Sequence, residues 1–312
     1  MTHFYLSSGI FLGWSLGAND AANVFGTAVS SRMIRYRSAV ILTSIFIILG
    51  AVLEGTNGIK TLGGLTNQDL QSAFISALAA ALTVTFMTLL KLPVSTSQAA
   101  VGAIMGIGIF HSYFNFASMT KVFICWIGTP IGAMLIAIIL YMVLSKIINH
   151  LNLNLIQLDY ILRFGLILGG TYGAYALGAN NVANVIGVFS KISRFSPGML
   201  ALIGGVSIAF GVITFSKNVM LTVGKKLVPM GAFSALIAIL GEAITVHIYA
   251  KIGVPVSTSQ AIIGAVLGIG IIKGMQTINM KTLYRILLGW TFTPIMAGLM
   301  SLGLVFLINK GL

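Results

Sequence analysis

Apolar residues run along this chain in long blocks, and polar residues collect in the short gaps between them. The clearest blocks are 39–53, 73–90, 122–145, 200–215 and 286–308. Runs of about 18 or more apolar residues read as membrane helices. The pattern therefore predicts an all-α polytopic membrane protein. Ten apolar segments can be drawn: near 4–30, 39–57, 71–90, 93–110 and 118–145, then near 160–189, 199–216, 231–250, 255–272 and 283–308. Segment 93–110 opens on Pro and hydroxyls, so it is expected either to span or to re-enter, and 255–272 shares the ambiguity.

Composition agrees with this reading. The chain is 57% hydrophobic and 7% charged, with a mean hydropathy of +1.02. A soluble domain carries about a quarter charged residues. The opening MTHFYLSSGIFLGW lacks the basic start of a cleaved signal peptide and is read as the first span. The net charge of +13 is not taken as a nucleic-acid signal, because the Lys and Arg sit in short loops, where they fix orientation. The single cysteine, Cys125, excludes an internal disulfide and a Cys-based metal site and reads as packing.

The blocks repeat. PVSTSQA occurs at 93–99 and again at 255–261. LGANDAANVFG at 16–26 matches LGANNVANVIG at 177–187, and Gly50, Asn57 and Gly63 match Gly211, Asn218 and Gly224. GAIMGIGI at 102–109 matches GAVLGIGI at 264–271, and Trp126 and Pro130 match Trp290 and Pro294. Residues 1–150 form a first membrane repeat and 155–312 a second, joined by NHLNLNLIQLD. With about five segments each, an odd number of crossings inserts the halves with inverted topology, as in secondary transporters, with broken or re-entrant helices at the midplane. Placing the N-terminus outside puts 12 of the 18 Lys and Arg inside, among them Arg32, Lys91, Arg163, Lys225 and Lys226. Both termini are then expected outside.

The repeated motifs are polar in an apolar setting. After PVSTSQ comes a small, apolar stretch, so each copy reads as a helix that starts inside the membrane with Ser and Thr at its N-terminus. Free N–H groups, the positive end of the helix dipole and the hydroxyls of Ser95, Thr96, Ser97, Ser257, Thr258 and Ser259 make an anion site. Two such ends can surround one tetrahedral oxyanion. The alternative is that the hydroxyls only cap or join helices. In GANDAAN, Asn19 and Asn23, like Asn180 and Asn184, are four apart and share a helix face. Asp20 and Asn181 add further oxygens. Gly17 and Gly178 can break or closely pack a helix, and an unwound turn there would add carbonyls for a small hard cation such as sodium.

Five acids occur in all, and Asp69 and Asp159 look like ordinary loop residues. Asp20, Glu54 and Glu242 fall within apolar segments, where an ionisable side chain is a functional hypothesis by default. Their repeat mates are Asn181, Phe215 and Ala80, so a cation on Asp20 is expected off the pseudo-symmetry axis. His247 lies five residues after Glu242 and could be a proton-linked partner, though packing is its commoner role.

GANDAANVFGTAV, the intramembrane Glu, PVSTSQAAVGA and the second copies GANNVANVIG and PVSTSQAIIGA resemble the PiT family of inorganic phosphate transporters across nearly the whole chain. The resemblance implies uptake of inorganic phosphate coupled to sodium, or in some members to protons. It implies a transport part that carries the site and a scaffold part often used for dimer contacts. Phosphate contacts then fall to Ser95, Thr96, Ser97, Ser257, Thr258, Ser259, Asp20, Asn180 and Asn181, and sodium contacts to Asn19, Asp20, Asn23 and Asn184. Glu54 and Glu242 match acids that matter in the family and are coupling candidates. No cofactor is implied beyond sodium as co-transported ion; the expected partners are phosphate, membrane lipid and a second copy, in a prokaryotic inner membrane. Two positions depart from many members: Asn181 stands for Asp, and Gln98 and Gln260 stand for His. Both bear on the coupling ion.

A buried carboxylate can accept a hydrogen bond from protonated phosphate and repels sulfate, which has no proton to give at neutral pH. No Arg lies near either motif, so hydroxyls, helix ends and a bound cation must offset the anion's charge. A sulfate or other oxyanion symporter and an anion channel remain as alternatives. A hydrolase using Ser95 or Ser257 is the weakest reading, since no His or Lys base stands in matching repeat positions.

Overall fold

A computed structural model describes residues 2–90, 94–113, 115–223, 230–274 and 278–309. Lys91, Pro93, Gly224, Lys225 and Lys226 lie outside the described residues, as do the side chains of His3 and Asn218. The described chain is helical throughout: α1 Thr2–Ser30, α2 Tyr36–Glu54, α3 Thr56–Leu62, α4 Leu70–Leu89, α5 Thr96–His111 and α6 Phe116–His150 in the first half. The second half holds α7 Leu155–Ile186, a short 3₁₀ turn Gly187–Phe189, α8 Pro197–Val223, α9 Ala232–Ile252, α10 Thr258–Lys273 and α11 Met280–Asn309. Side-chain caps hold several of the starts, those of α4, α5, α6, α7 and α10. Asp69 accepts from Ser72 N–H at 2.7 Å, and Asn154 and Gln157 form a reciprocal capping box.

By length and composition, six of these helices can cross a membrane: α2, α4, α6, residues 197–217 of α8, α9 and α11. The remaining expected spans fall short for physical reasons. The helices α1 and α7 are long but carry the polar Asn and Asp residues in their C-terminal halves, and α5 and α10 have 16 residues each. At 1.5 Å per residue, 16 residues cover about 24 Å of a hydrocarbon core of about 30 Å.

The two halves interlock. The first helix of each packs on the second helix of the other, α1 on α8 and α7 on α2. The short helix of each packs on the last helix of the other, α5 on α11 and α10 on α6. Glycines at equivalent positions permit the approach. A Cβ at Gly17 would lie 1.9 Å from Ile208 O, and one at Gly178 would lie 2.1 Å from Ile47 O. The facing glycines behave alike: Gly211 meets Trp14 O at 2.0 Å, and Gly50 meets Tyr175 O at 2.0 Å. Both crossings therefore bring backbone against backbone.

The interruptions fall before α5 and α10, where the chain is extended, and not at the GAN motifs. Both α1 and α7 continue through Gly17 and Gly178 as unbroken helix, so no carbonyls are freed there. The glycines serve packing. The last residue of α5, His111, bonds Ser72 near the start of α4 at 3.3 Å, and Thr66 donates to Tyr113 O at 3.2 Å. Helix α5 thus runs back antiparallel to α4 and ends level with its beginning.

Candidate functional site

The two extended stretches bring the starts of α5 and α10 together inside the protein. Ser97 donates to Val256 O at 2.8 Å, and its repeat mate Ser259 donates to Val94 O at 3.3 Å. This reciprocal pair places the pseudo-two-fold axis between the two helix starts. Ser95, Thr96, Ser97, Ser257 and Thr258 are at most 2% exposed, and Ser259 is partly exposed. Ser95 and Ser257 are the N-caps, accepting from Gln98 N–H at 3.3 Å and Gln260 N–H at 3.2 Å. Their oxygens are committed to their own helices. The N–H groups of Thr96, Ser97, Thr258 and Ser259 have no carbonyl in their own helices, as in any first turn.

Helices α1 and α7 lay their polar faces across these starts. Asn181 Nδ2 donates to Asp20 Oδ2 at 3.2 Å, with Asn181 0% and Asp20 2% exposed. These two residues are repeat mates, and mates touch only near the symmetry axis. Asp20 therefore sits close to the axis. The hydroxyls of Thr258 and Thr96, the first residues of α10 and α5, lie within hydrogen-bonding reach of its carboxylate.

The remaining asparagines divide. Asn180 clamps the strand-like stretch before α10 with both ends of its amide, donating to Val256 O at 2.8 Å and accepting from Val256 N–H at 3.2 Å. It also donates to Asn181 Oδ1 at 2.9 Å. Asn184 donates to Ser97 Oγ at 2.8 Å, and Asn23 donates to Thr258 Oγ1 at 3.4 Å. Asn19 leaves the cluster: it is partly exposed and donates to Thr88 of α4 at 3.0 Å.

Several oxygens in the cluster are buried without a hydrogen bond among the described residues: Asp20 Oδ1, Thr96 Oγ1 and Asn184 Oδ1. A carboxylate, a hydroxyl and an amide oxygen suit a hard monovalent cation, and here side chains supply them in place of unwound backbone. Glu242 on α9 is 1% exposed with Oε2 also unpartnered, and it lies close enough to Asp20 for the two charges to oppose each other.

Glu54 is elsewhere. It ends α2 and accepts from Lys251 Nζ and His247 Nε2, both at 2.8 Å, while His247 Nδ1 shares a 2.8 Å bond with Tyr172. With Nε2–H given to the carboxylate, Nδ1 of a neutral ring accepts from the tyrosine. His247 is thus tied to Glu54 and not to Glu242. The group joins α2 of the first half to α7 and α9 of the second. Sequence reading missed Lys251 and Tyr172, which nothing in a motif distinguishes. It also missed the carbonyls of Val94 and Val256, although both residues lie within the repeated heptapeptide.

Comparison with known proteins fits this architecture. The phosphate transporter family matches residues 16–301. A "putative phosphate permease" of Methanocaldococcus jannaschii is 31% identical over 96% of this chain and 94% of its own length. The "sulfate permease CysP" of Bacillus subtilis is 28% identical over 96% of this chain and 86% of its own. A solved structure titled "The sodium-dependent phosphate transporter" superposes with a TM-score of 0.87 at 22% identity, covering 100% of this chain and 99% of the other.

Proposed function

The chain belongs to the phosphate transporter family, and from that premise we propose that it takes up inorganic phosphate together with sodium by alternating access. The observation that carries the reading is the meeting of two capped helix starts around one buried carboxylate. The unpaired N–H groups of Thr96, Ser97, Thr258 and Ser259 face a tetrahedral anion from two sides. Asp20 Oδ1 accepts the proton of a protonated phosphate or binds sodium beside it. Sodium then takes its ligands from Asp20 Oδ1 and Asn184 Oδ1, which have no hydrogen bond among the described residues, and from the Thr96 hydroxyl beside Asp20.

The cluster contains no Lys or Arg among the described residues, so the anion's charge is offset by helix ends and by the co-bound cation. Each ligand therefore raises the other's affinity, and the coupling is reciprocal. Glu242 is the second coupling candidate, being buried and facing Asp20; Glu54 acts from the end of α2, where its partners tie the halves together. In this reading the apolar outer face of α6 meets lipid, a second copy packs against the scaffold, and both termini face the outside of a prokaryotic inner membrane.

The likeness to a sulfate permease favours one alternative, a sulfate symporter. Uptake of radiolabelled phosphate into proteoliposomes tests both. Sodium-driven phosphate uptake, indifferent to excess sulfate and lost in Asp20→Asn, supports the proposal. Uptake driven by a proton gradient and indifferent to sodium removes sodium coupling. Strong inhibition by sulfate moves the substrate assignment.

A further inference from the structure

The polar group at the end of α2 has an apolar counterpart in the other half. The repeats pair Glu54 with Phe215, Tyr172 with Phe11, Tyr175 with Trp14, His247 with Thr85 and Lys251 with Leu89. In the counterpart, Trp14 packs against Phe11 and Phe215, with ring centroids 6.0 and 5.7 Å away, and its Nε1 donates to Thr214 at 2.8 Å. At the end of α2, each oxygen of the Glu54 carboxylate takes one donor, Lys251 Nζ and His247 Nε2, both at 2.8 Å. The His247 ring meets Tyr172 and Tyr175 edge-on, with centroids 5.4 and 5.7 Å away. One corner of the duplicated fold is thus closed by aromatic packing and the equivalent corner by charge.

Charge is not needed to hold such a corner shut, since the counterpart does without it. An exposed ion pair adds little to stability, and an ionisable group in an apolar segment points to function. An ionic contact differs from an aromatic one in that it opens into water at small cost, each charge being hydrated as it leaves its partner. Lys251 is 60% exposed, and the side chains of Glu54 and His247 are 21% and 20% exposed.

The contact is also in line with the candidate site. Lys251 stands in the last turn of α9, which ends at Gly253 with φ +76°. A Cβ on Gly253 would lie 3.3 Å from both Cβ and O of Asn57, so the turn between α9 and α10 rests on α3 just past Glu54. Further on, Val256 is clamped by Asn180, and Ser257 caps α10. The chain from Lys251 to Ser257 is short and held at each of these points. A displacement at Glu54 therefore reaches the N–H groups of Thr258 and Ser259.

We propose that Lys251 and His247, the latter held by Tyr172, are positioning residues. They latch the turn between α9 and α10 onto Glu54, fix the start of α10 while phosphate is bound, and let go in each transport cycle. The proposal rests on the transport reading above.

The first arm of the test is uptake of radiolabelled phosphate into proteoliposomes, normalised to inserted protein. Lys251→Met should raise KM about threefold, the size an exposed ion pair allows, without lowering Vmax. Lys251→Arg should keep KM near that of the unsubstituted protein. The second arm measures the distance across the latch by pulsed electron paramagnetic resonance, with nitroxide labels on Leu53→Cys and Ile252→Cys, two exposed positions, in a Cys125→Ser background. With phosphate and sodium present, the labelled protein should show one short distance, and adding Lys251→Met or Glu54→Gln should bring in a longer one. An unchanged KM in Lys251→Met overturns the proposal. So does a lower Vmax at constant KM, which is what a purely structural contact gives. If the unsubstituted protein takes up no phosphate, the transport reading fails. The distance arm, run without phosphate, then still decides the latch: a longer distance in Lys251→Met keeps it, and an unchanged one removes it.

Discussion

Asn180 and Asn19 occupy the same position in the two repeats, yet replacing them should have very different costs. Asn180 makes three hydrogen bonds, two with the backbone of Val256 and one with Asn181, and is 1% exposed. Asn19 makes one, to Thr88, from a partly exposed position. A side-chain hydrogen bond inside a membrane protein is worth about 0.6 kcal/mol on average, so three give roughly 2 kcal/mol. Asn180→Ala also strands the buried Val256 N–H, adding about 1–3 kcal/mol. Its total cost is therefore about 3–5 kcal/mol, against about 0.6 kcal/mol for Asn19→Ala. Because Val256 immediately precedes the cap of α10, Asn180→Ala should also displace one of the two helix starts and raise KM for phosphate more than tenfold. The assay is denaturant unfolding of the purified protein in detergent, paired with proteoliposome uptake. Asn180→Asp is the internal control. Its second oxygen would face Val256 O and Asn181 Oδ1, so it should do no better than Ala. Equal costs for Asn19→Ala and Asn180→Ala would refute the argument, because they would mean that the asymmetry at Val256 carries no energy.

Two further expectations follow from the packing. Gly17→Ala and Gly178→Ala should each destabilise the fold strongly and by similar amounts, since each new Cβ lands about 2 Å from a carbonyl oxygen of the crossing helix; thermal unfolding in detergent measures this, and a neutral result at either would show that the crossing can open. At the α2 end, Lys251→Met should cost under about 1 kcal/mol, because the ammonium side chain is 60% exposed, whereas His247→Leu should cost about 2 kcal/mol by stranding both Tyr172 OH and Glu54 Oε2; unfolding of the two variants side by side checks the order.

Much of this architecture is legible in the sequence itself. Two identical heptapeptides and the matching glycines disclose the duplication, and the excess of apolar residues discloses the membrane. What sequence spacing cannot state is which surface lies opposite a given helix face. Asn19 and Asn23 share a face by periodicity, but α4 offers Asn19 a hydroxyl at Thr88, and the repeat mate of Thr88 is Ala250, which offers Asn180 nothing. Asn180 turns to the backbone of Val256 instead. The same limit explains His247. Five residues after Glu242 is more than one turn on, so the two point in different directions, and the partner comes from α2. The glycines in the GAN motifs allow either a break or a close crossing. Only the carbonyls of Ile208 and Ile47 standing over them decide for the crossing.

The meeting of Asp20 with Asn181 bears on why a duplicated protein would abandon strict symmetry at its centre. Two equal carboxylates in contact at the axis could not both ionise; they would share a proton, as paired acids do. With an amide on one side, the contact becomes a hydrogen bond from Asn181 to Asp20, and the other oxygen of Asp20 stays unpaired and buried. The orientation of the amide is itself fixed, since its oxygen accepts from Asn180 at 2.9 Å while its nitrogen serves Asp20. A symmetric pair would also have no reason to direct one oxygen toward Thr96 rather than another. The single substitution thus gives the axis one charge with one free, oriented acceptor. A site with those two properties can take a cation or a protonated oxyanion at a defined atom. The two-fold packing of α5 and α10 builds the cradle, and the break in symmetry gives the cradle its polarity.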